Sequence, residues 1–278
     1  MNAQAALNHL QASVYPFQNQ AIKDVYQALG RGNNKLLKLP TGSGKTYIAA
    51  AIIAHAVSKG RKVMFMVDRL SLLAQSVEEF AKLGLYASVI QGENTTYQYG
   101  DDLVIASMQT LENWSSWPDV NLVIVDEAHD QRQKISAKMK EWTGVKWLGL
   151  SATPYTTGLG HTWTEVVEGP SVRELINQGY LSDFEAWGVP PDVSKVKTTA
   201  GDFNSKELAE CVNTQEITGN ILKHWREHGQ GRKTMVFAVD IAHSKAIAAR
   251  FEAEGIRASH IDCYADGDEK FEIIEKFR

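Results

Sequence analysis

The chain has 278 residues, 44% hydrophobic and 22% charged, enough to bury one large core or two modest ones. A formal charge of −4 and a pI near 6.1 exclude a global basic field, so any nucleic-acid binding has to come from a local groove. No apolar run approaches the roughly 18 residues of a membrane-spanning helix, the N-terminus carries no signal pattern, and no repeat or low-complexity tract is visible.

In chain order, the first patterned segment is an apolar run over residues 36–39, followed by Pro40-Thr41-Gly42-Ser43-Gly44-Lys45-Thr46 and an Ala/Ile-rich stretch over 47–57 that reads as a helix. Strand, loop and helix in that order are the setting in which a glycine-containing loop binds phosphate. Gly42 and Gly44 permit backbone geometries closed to other residues, so successive N–H groups can converge on phosphate oxygens at a helix N-terminus. Lys45 then supplies a point charge to the outer phosphates, and Thr46 is placed to give its hydroxyl to Mg²⁺. A strict phosphate loop has Gly where Leu39 stands, and a glycine-rich turn before a helix is the alternative for this segment alone.

Together with residues 35–39, candidate strands lie at 62–67, 103–106, 122–126 and 146–150, separated by helix-like segments. That alternation predicts an α/β fold with a parallel sheet. Leu122-Val123-Ile124-Val125 is the continuous apolar run expected of a buried parallel strand, and Asp126-Glu127 stand at its C-terminal end, the edge at which ligands gather in open α/β sheets. The two carboxylates can divide the work there. Asp126 would hold Mg²⁺, and Glu127 would orient and deprotonate an attacking water. Solvated turn residues are the alternative for such a pair. Ser151-Ala152-Thr153-Pro154 follows the strand over 146–150, where Ser and Thr before Pro also make plain turns.

Taken together, the loop, Asp126-Glu127-Ala128-His129 and Ser151-Ala152-Thr153 resemble the superfamily-two helicases and translocases of the DEAH-box kind. The resemblance implies a RecA-like ATP-binding domain followed by a partial second RecA-like domain, with ATP and Mg²⁺ as cofactors and nucleic acid, DNA above RNA, as the partner. It implies that Tyr15-Pro16-Phe17-Gln18 reads adenine, with Phe17 and Gln18 joining residues 40–46 in nucleotide binding. Lys45, Asp126, Glu127 and His129 would carry catalysis. Val67-Asp68-Arg69 and Ile105-Ala106-Ser107-Met108-Gln109-Thr110 look like loops that position a strand on its phosphates, through Arg69, Ser107, Gln109 and Thr110. Ser151 and Thr153 would couple hydrolysis to the second domain. Arg69, Lys138, Lys140 and Lys245 are candidate cations for a groove.

Residues 1–181 are expected to form the first domain and 182–278 the second. From Val167 onward, Glu168-Gly169-Pro170-Ser171-Val172-Arg173-Glu174-Leu175-Ile176-Asn177-Gln178-Gly179-Tyr180-Leu181 resembles the bridge between motor domains in restriction-type and phage helicases, which implies restriction or phage replication proteins as partners. In domain two, strands are expected near 184–189, 233–239 and 257–261, a loop over 190–203, helical character over 204–228 and an amphipathic helix over 269–277. Phe237 is assigned to the core of its strand, and Gln230-Gly231-Arg232 to a turn. The family's motif V and arginine-bearing motif VI are not visible. The alternative function is therefore an ATP-regulated module that binds nucleic acid with little turnover; an unrelated P-loop kinase leaves Ser151-Ala152-Thr153 unexplained. Cys211 and Cys263 lack metal-ligand spacing and fit reduced thiols in cytoplasm.

Overall fold

The computed structural model describes residues 3–114, 116–130, 132–187, 194, 196–199, 202–203, 207 and 221–277. The chain divides into two compact units, Met1–Phe184 and Glu185–Arg278.

The first unit is built on one seven-stranded sheet. In chain order its strands are β1 (Asn34–Lys38), β2 (Val63–Val67), β3 (Ser88–Ile90), β4 (Leu103–Ser107), β5 (Leu122–Val125), β6 (Lys146–Ser151) and β7 (Glu165–Glu168). Every pairing is parallel, in the spatial order β3-β4-β2-β5-β6-β1-β7. The helices are α1 (Ala3–Ser13), α2 (Pro16–Arg31), α3 (Lys45–Ser58), α4 (Leu70–Lys82), α5 (Met108–Glu112), α6 (Gln133–Glu141) and α7 (Val172–Asn177).

Successive strand residues point to opposite faces, and a parallel sheet has both faces covered. Leu37, Phe65, Ile105, Ile124 and Leu148 belong to a core shared with α1, α2, α3 and α4. Their chain neighbours Leu36, Met64, Val104, Val123 and Trp147 belong to the opposite core, closed by Met108, Leu111, Ile135 and Met139 of α5 and α6. That is why these strands read as unbroken apolar runs. Helix α3 packs against α1, and its residues 48–54 are all buried, so its Ala/Ile composition reflects burial all round.

The five sequence-predicted strands of this unit are present, each shifted by a residue or less at most ends. Strands β3 and β7 were not anticipated. β7 falls where the bridge between domains was expected to begin; instead it closes the sheet beside β1, held by Lys35–Glu165 at 2.9 Å and Lys38–Glu168 at 3.0 Å.

In the second unit the described elements are a two-stranded antiparallel ladder (Thr198–Thr199 with Asp202–Phe203), a π-helical turn (Trp225–Gly229), α8 (Ile241–Ala253) and α9 (Gly267–Phe277). Asp240 caps α8 by accepting from His243 N at 2.7 Å. Leu222, Ile247 and Phe251 form its buried cluster. Helix α9 agrees with the amphipathic pattern, and residues 221–228 are helical as expected. The strands expected near 233–239 and 257–261 are not formed, and 184–187 is also without a strand; residues 188 and 189 lie outside the described residues, as do Cys211 and most of 204–220. Residues 198–199 and 202–203, expected as loop, are ladder. Phe237 is 89% exposed, which corrects its assignment to the core. A strand is stabilised by its ladder and by what covers its face, and the apolar runs at 233–239 and 257–261 gain neither here.

Candidate functional site

The sheet register gathers the loops. Lys38 of β1 lies opposite Ser151 of β6, and Leu39 N donates to Ser151 O at 3.1 Å. Val125 of β5 pairs with both Gly149 and Met66, and Val67 of β2 with Ser107. The residues after β1, β2, β4, β5 and β6 therefore leave from one edge of the sheet, the carboxyl edge at which α/β proteins bind ligands.

The candidate phosphate loop leaves β1 and enters α3 at Lys45. Gly42 and Gly44 have φ of 81° and 80°, the left-handed region that disfavours a side chain. Gly44 is also the N-cap of α3, and a Cβ there would lie 2.6 Å from Gln18 Nε2, so glycine is required for space as well as for backbone shape. Ser43 is buried and donates its hydroxyl to Pro40 O at 2.6 Å. Lys45 Nζ donates to Leu39 O and Pro40 O, both at 3.3 Å. Burial pushes the Lys45 ammonium pKa down, against the upward pull of Glu127 and Asp126. Thr46 is half-buried in the first turn of α3, and Thr41 is exposed.

Gln18 is buried behind this loop. Its Nε2 donates to Ser43 O at 3.0 Å and its Oε1 accepts from Tyr15 N at 2.9 Å, so the amide braces the loop against the start of α2. One Nε2 hydrogen and one Oε1 lone pair remain. Phe17 lies in a cluster that the sequence reading missed: the Tyr180 ring centroid is 4.9 Å from Tyr15 and 4.9 Å from Phe17. Leu181 reaches the loop too, its Cδ2 lying 3.1 Å from where a Cβ on Gly42 would stand. No local pattern links Tyr180 to Tyr15, because their proximity depends on β7 returning beside β1.

Asp126 follows β5 with its N–H donating to Met66 O at 2.9 Å and its Oδ1 accepting from Glu127 N at 3.0 Å. Burial, then the neighbouring Glu127, pushes the Asp126 carboxyl above the usual carboxylate range, partly offset by Lys45. Among the described residues Glu127 alone has a positive φ without being glycine, at 47°. Such a conformation costs about 1–3 kcal/mol and persists where the surroundings enforce it. His129 Nδ1 lies 3.3 Å from Glu127 Oε2 and 3.1 Å from Ser151 Oγ, and Ser151 Oγ accepts from Thr153 N at 3.1 Å. Glu127, His129, Ser151 and Thr153 thus form one polar chain across the ends of β5 and β6.

On the other side of β5, Arg69 is exposed at the start of α4, and Gln109 is exposed on α5. Ser107 is fully buried and caps α5, accepting from Thr110 N at 3.5 Å, while Thr110 Oγ1 accepts from Gly92 N at 3.1 Å. A cleft of about 660 Å³ opens here, lined by Leu70, Gln91, Gly92, Gln109, Thr110 and Trp114 among others. Arg132, absent from the sequence reading, pairs with Asp68 and with Glu112 at 3.1 Å, tying the loop after β2 to α5. Of the candidate groove cations, Lys140 is exposed, whereas Lys138 lies 4.8 Å over the Trp142 ring and bonds Glu141 at 2.9 Å. Lys245 lies 4.0 Å from Asp262 in the second unit.

Residues 11–156 match the family model described as type III restriction enzyme, res subunit. A 51.5 kDa protein of a Lactococcus phage is 25% identical over 87% of this chain and 52% of its own length. The putative ATP-dependent helicase IRC3 of Saccharomyces cerevisiae is 28% identical over 94% of this chain and 42% of its own. The type I restriction enzyme EcoAI endonuclease subunit of Escherichia coli is 25% identical over 82% and 33%. The chain thus spans about half or less of the length of these relatives. Among solved structures, the Type ISP restriction-modification enzyme LlaGI, in complex with a DNA substrate mimic, aligns over 96% of this chain and 31% of its own at a TM-score of 0.51 and 14% identity, a likeness of fold.

Proposed function

The chain belongs to the type III restriction enzyme res-subunit family, a restriction-type group of superfamily-two helicases, and from that premise we propose that it is the ATP-hydrolysing part of a motor that moves on DNA. One observation carries the reading. The register of β1, β5 and β6 places the phosphate loop, the Asp126-Glu127 pair and Ser151 at a single sheet edge.

The residues present fit ATP and Mg²⁺. Gly42 and Gly44 hold the left-handed geometry of a loop whose N–H groups can face phosphate, ahead of the N-terminus of α3. In this reading residues 40–46 would cradle the phosphates, Lys45 would exchange the Leu39 and Pro40 carbonyls for the outer phosphates, and Thr46 and Asp126 would hold Mg²⁺, whose charge would neutralise that developing on the transferred phosphoryl group. Glu127 Oε2 accepts a proton from the attacking water, and His129, already bonded to Ser151, relays the state of the site towards Thr153. Gln18 fixes the loop and, with Phe17, Tyr15 and Tyr180, forms the adenine platform. Residues 1–181 carry this site, and 182–278 belong to the part that hydrolysis moves. Arg69, Gln109 and Thr110 mark the strand-positioning face at the ends of β2 and β4, while Ser107, buried as the cap of α5, fixes the helix start that carries Gln109 and Thr110.

DNA is favoured over RNA because a type I restriction enzyme subunit is among the relatives and a restriction-modification enzyme of similar fold was solved with a DNA substrate mimic. The test is ATP turnover with and without single-stranded DNA, duplex DNA and RNA of equal length. Stimulation by DNA, lost in Lys45→Ala, supports the reading; stimulation by RNA alone would overturn the choice of substrate.

A further inference from the structure

The π-helical turn Trp225–Gly229, in the second unit, brings together His224, Glu227 and His228. It is the sole group of three His, Cys, Asp or Glu side chains among the described residues whose ligand atoms all lie within 4.8 Å of one another. Glu227 Oε2 is the shared point. It lies 3.9 Å from His224 Nδ1 and 3.7 Å from His228 Nε2. Ligand atoms on adjacent corners of a tetrahedral zinc site with bonds of about 2.0–2.1 Å stand roughly 3.3 Å apart. The two separations from Glu227 exceed that by about half an ångström, and the two imidazoles, with ring centroids 6.1 Å apart and ligand nitrogens within 4.8 Å, close on a shared ion by side-chain rotation.

The turn is braced in that shape. The Trp187 ring stacks on His228 at 4.0 Å with the planes 8° apart, which orients the imidazole and leaves its nitrogens at the edge. Trp225 packs edge-on against Phe251 of the buried cluster at 5.5 Å and donates its Nε1–H to Thr234 Oγ1 at 2.9 Å. A Cβ on Gly229 would lie 2.7 Å from the Trp225 ring, so the turn closes only with glycine at that position.

We propose that His224, Glu227 and His228 form a transition-metal site, for Zn²⁺ or a related late first-row ion. Two imidazoles and one carboxylate match the preference of such ions over Mg²⁺, and three protein ligands leave room for water or a further ligand. The site would cross-link the π-turn and stabilise the second unit by mass action, since the unfolded chain does not hold the three groups together.

The experiment titrates the metal-free, reduced 278-residue chain with Zn²⁺ by calorimetry and with Co²⁺ by visible absorption, alongside His224→Gln, Glu227→Gln and His228→Ala. One equivalent is expected to bind, with no thiolate charge-transfer band. Each substitution should weaken that binding by more than the roughly tenfold that loss of an outer hydrogen-bond partner costs a metal site. Circular dichroism of the metal-free variants confirms that they keep their helices; should His228→Ala not fold because Trp187 loses its stacking partner, His224→Gln and Glu227→Gln decide. Equal affinity in wild type and both of these variants, a cysteine charge-transfer band, or no stoichiometric binding by the wild type would overturn the proposal.

Discussion

At the scale of single residues, the candidate phosphate loop and the acidic pair differ in surroundings, so substitutions in them are expected to read out differently. Lys45 is half-buried, donates to two backbone carbonyls and feels the charges of Glu127 and Asp126, so its removal leaves the fold's cores untouched and takes away the charge proposed for phosphate. Lys45→Ala is expected to lose nucleotide binding by calorimetry while its unfolding midpoint stays within a few degrees of wild type; unchanged ATP affinity would sink the site assignment. Glu127→Gln should hold ATP and lose turnover, and equal ATPase rates in variant and wild type would refute the assigned division of labour. Asp126 carries a pH signature. Its carboxyl is raised, chiefly by burial, so the folded state binds the proton more tightly than the unfolded chain, and stability falls as pH rises from the ordinary carboxylate pKa of about 3.9 through the raised value. Asn cannot ionise but can still accept from Glu127 N–H. Asp126→Asn should therefore melt higher than wild type at neutral pH, the gap vanishing at acid pH, while its Mg²⁺ requirement rises. A gap that does not change with pH would show that burial of this charge is not its source. Gly44→Ala introduces a side chain at φ 80° and against Gln18 Nε2, at a cost of at least about 1–2 kcal/mol in denaturant unfolding.

At the scale of elements, the sheet edge is what couples one loop to another. Ser151 ends β6, is fully buried, and serves both His129 and Thr153 through one hydroxyl. Ser151→Ala should cost about 0.5–1.5 kcal/mol, the worth of an ordinary hydrogen bond, because exposed Thr153 and half-buried His129 can turn to water. It should leave ATP affinity nearly intact and lower the stimulation of turnover by DNA; full stimulation in a folded variant would remove Ser151 from the coupling path. The strands of this sheet were legible because burial on both faces writes an unbroken apolar run, as at β5. The runs at 233–239 and 257–261 have the same composition without the ladder, since pairing is a property of two segments and composition of one. Strand β7 was illegible for the opposite reason. Its residues Glu165-Val166-Val167-Glu168 are an edge strand fixed by two lysines of β1, and neither salt bridge has a sequence pattern.

At the scale of the whole molecule, two compact units with unequal cores predict two unfolding steps. The first unit has two large buried clusters on a seven-stranded sheet, whereas the described cluster of the second is Leu222, Ile247 and Phe251. Calorimetry should resolve two transitions, and ATP with Mg²⁺ at a hundred times its Kd should stabilise the one belonging to the first unit by about 2.7 kcal/mol. Zn²⁺ should act on the other. A single transition moved by both ligands would show that the units unfold as one. The sequence by itself determined five of the strands and the family, and it marked the candidate loop and acidic pair, because each is written in contiguous residues whose chemistry or periodicity is local. Tertiary structure alone decided that Tyr180 joins Tyr15 and Phe17, that Arg132 bridges Asp68 and Glu112, and that His129 bonds Ser151. Each of those contacts joins residues far apart in the chain, and their separation in space is set by the register of a sheet whose strand order departs from chain order.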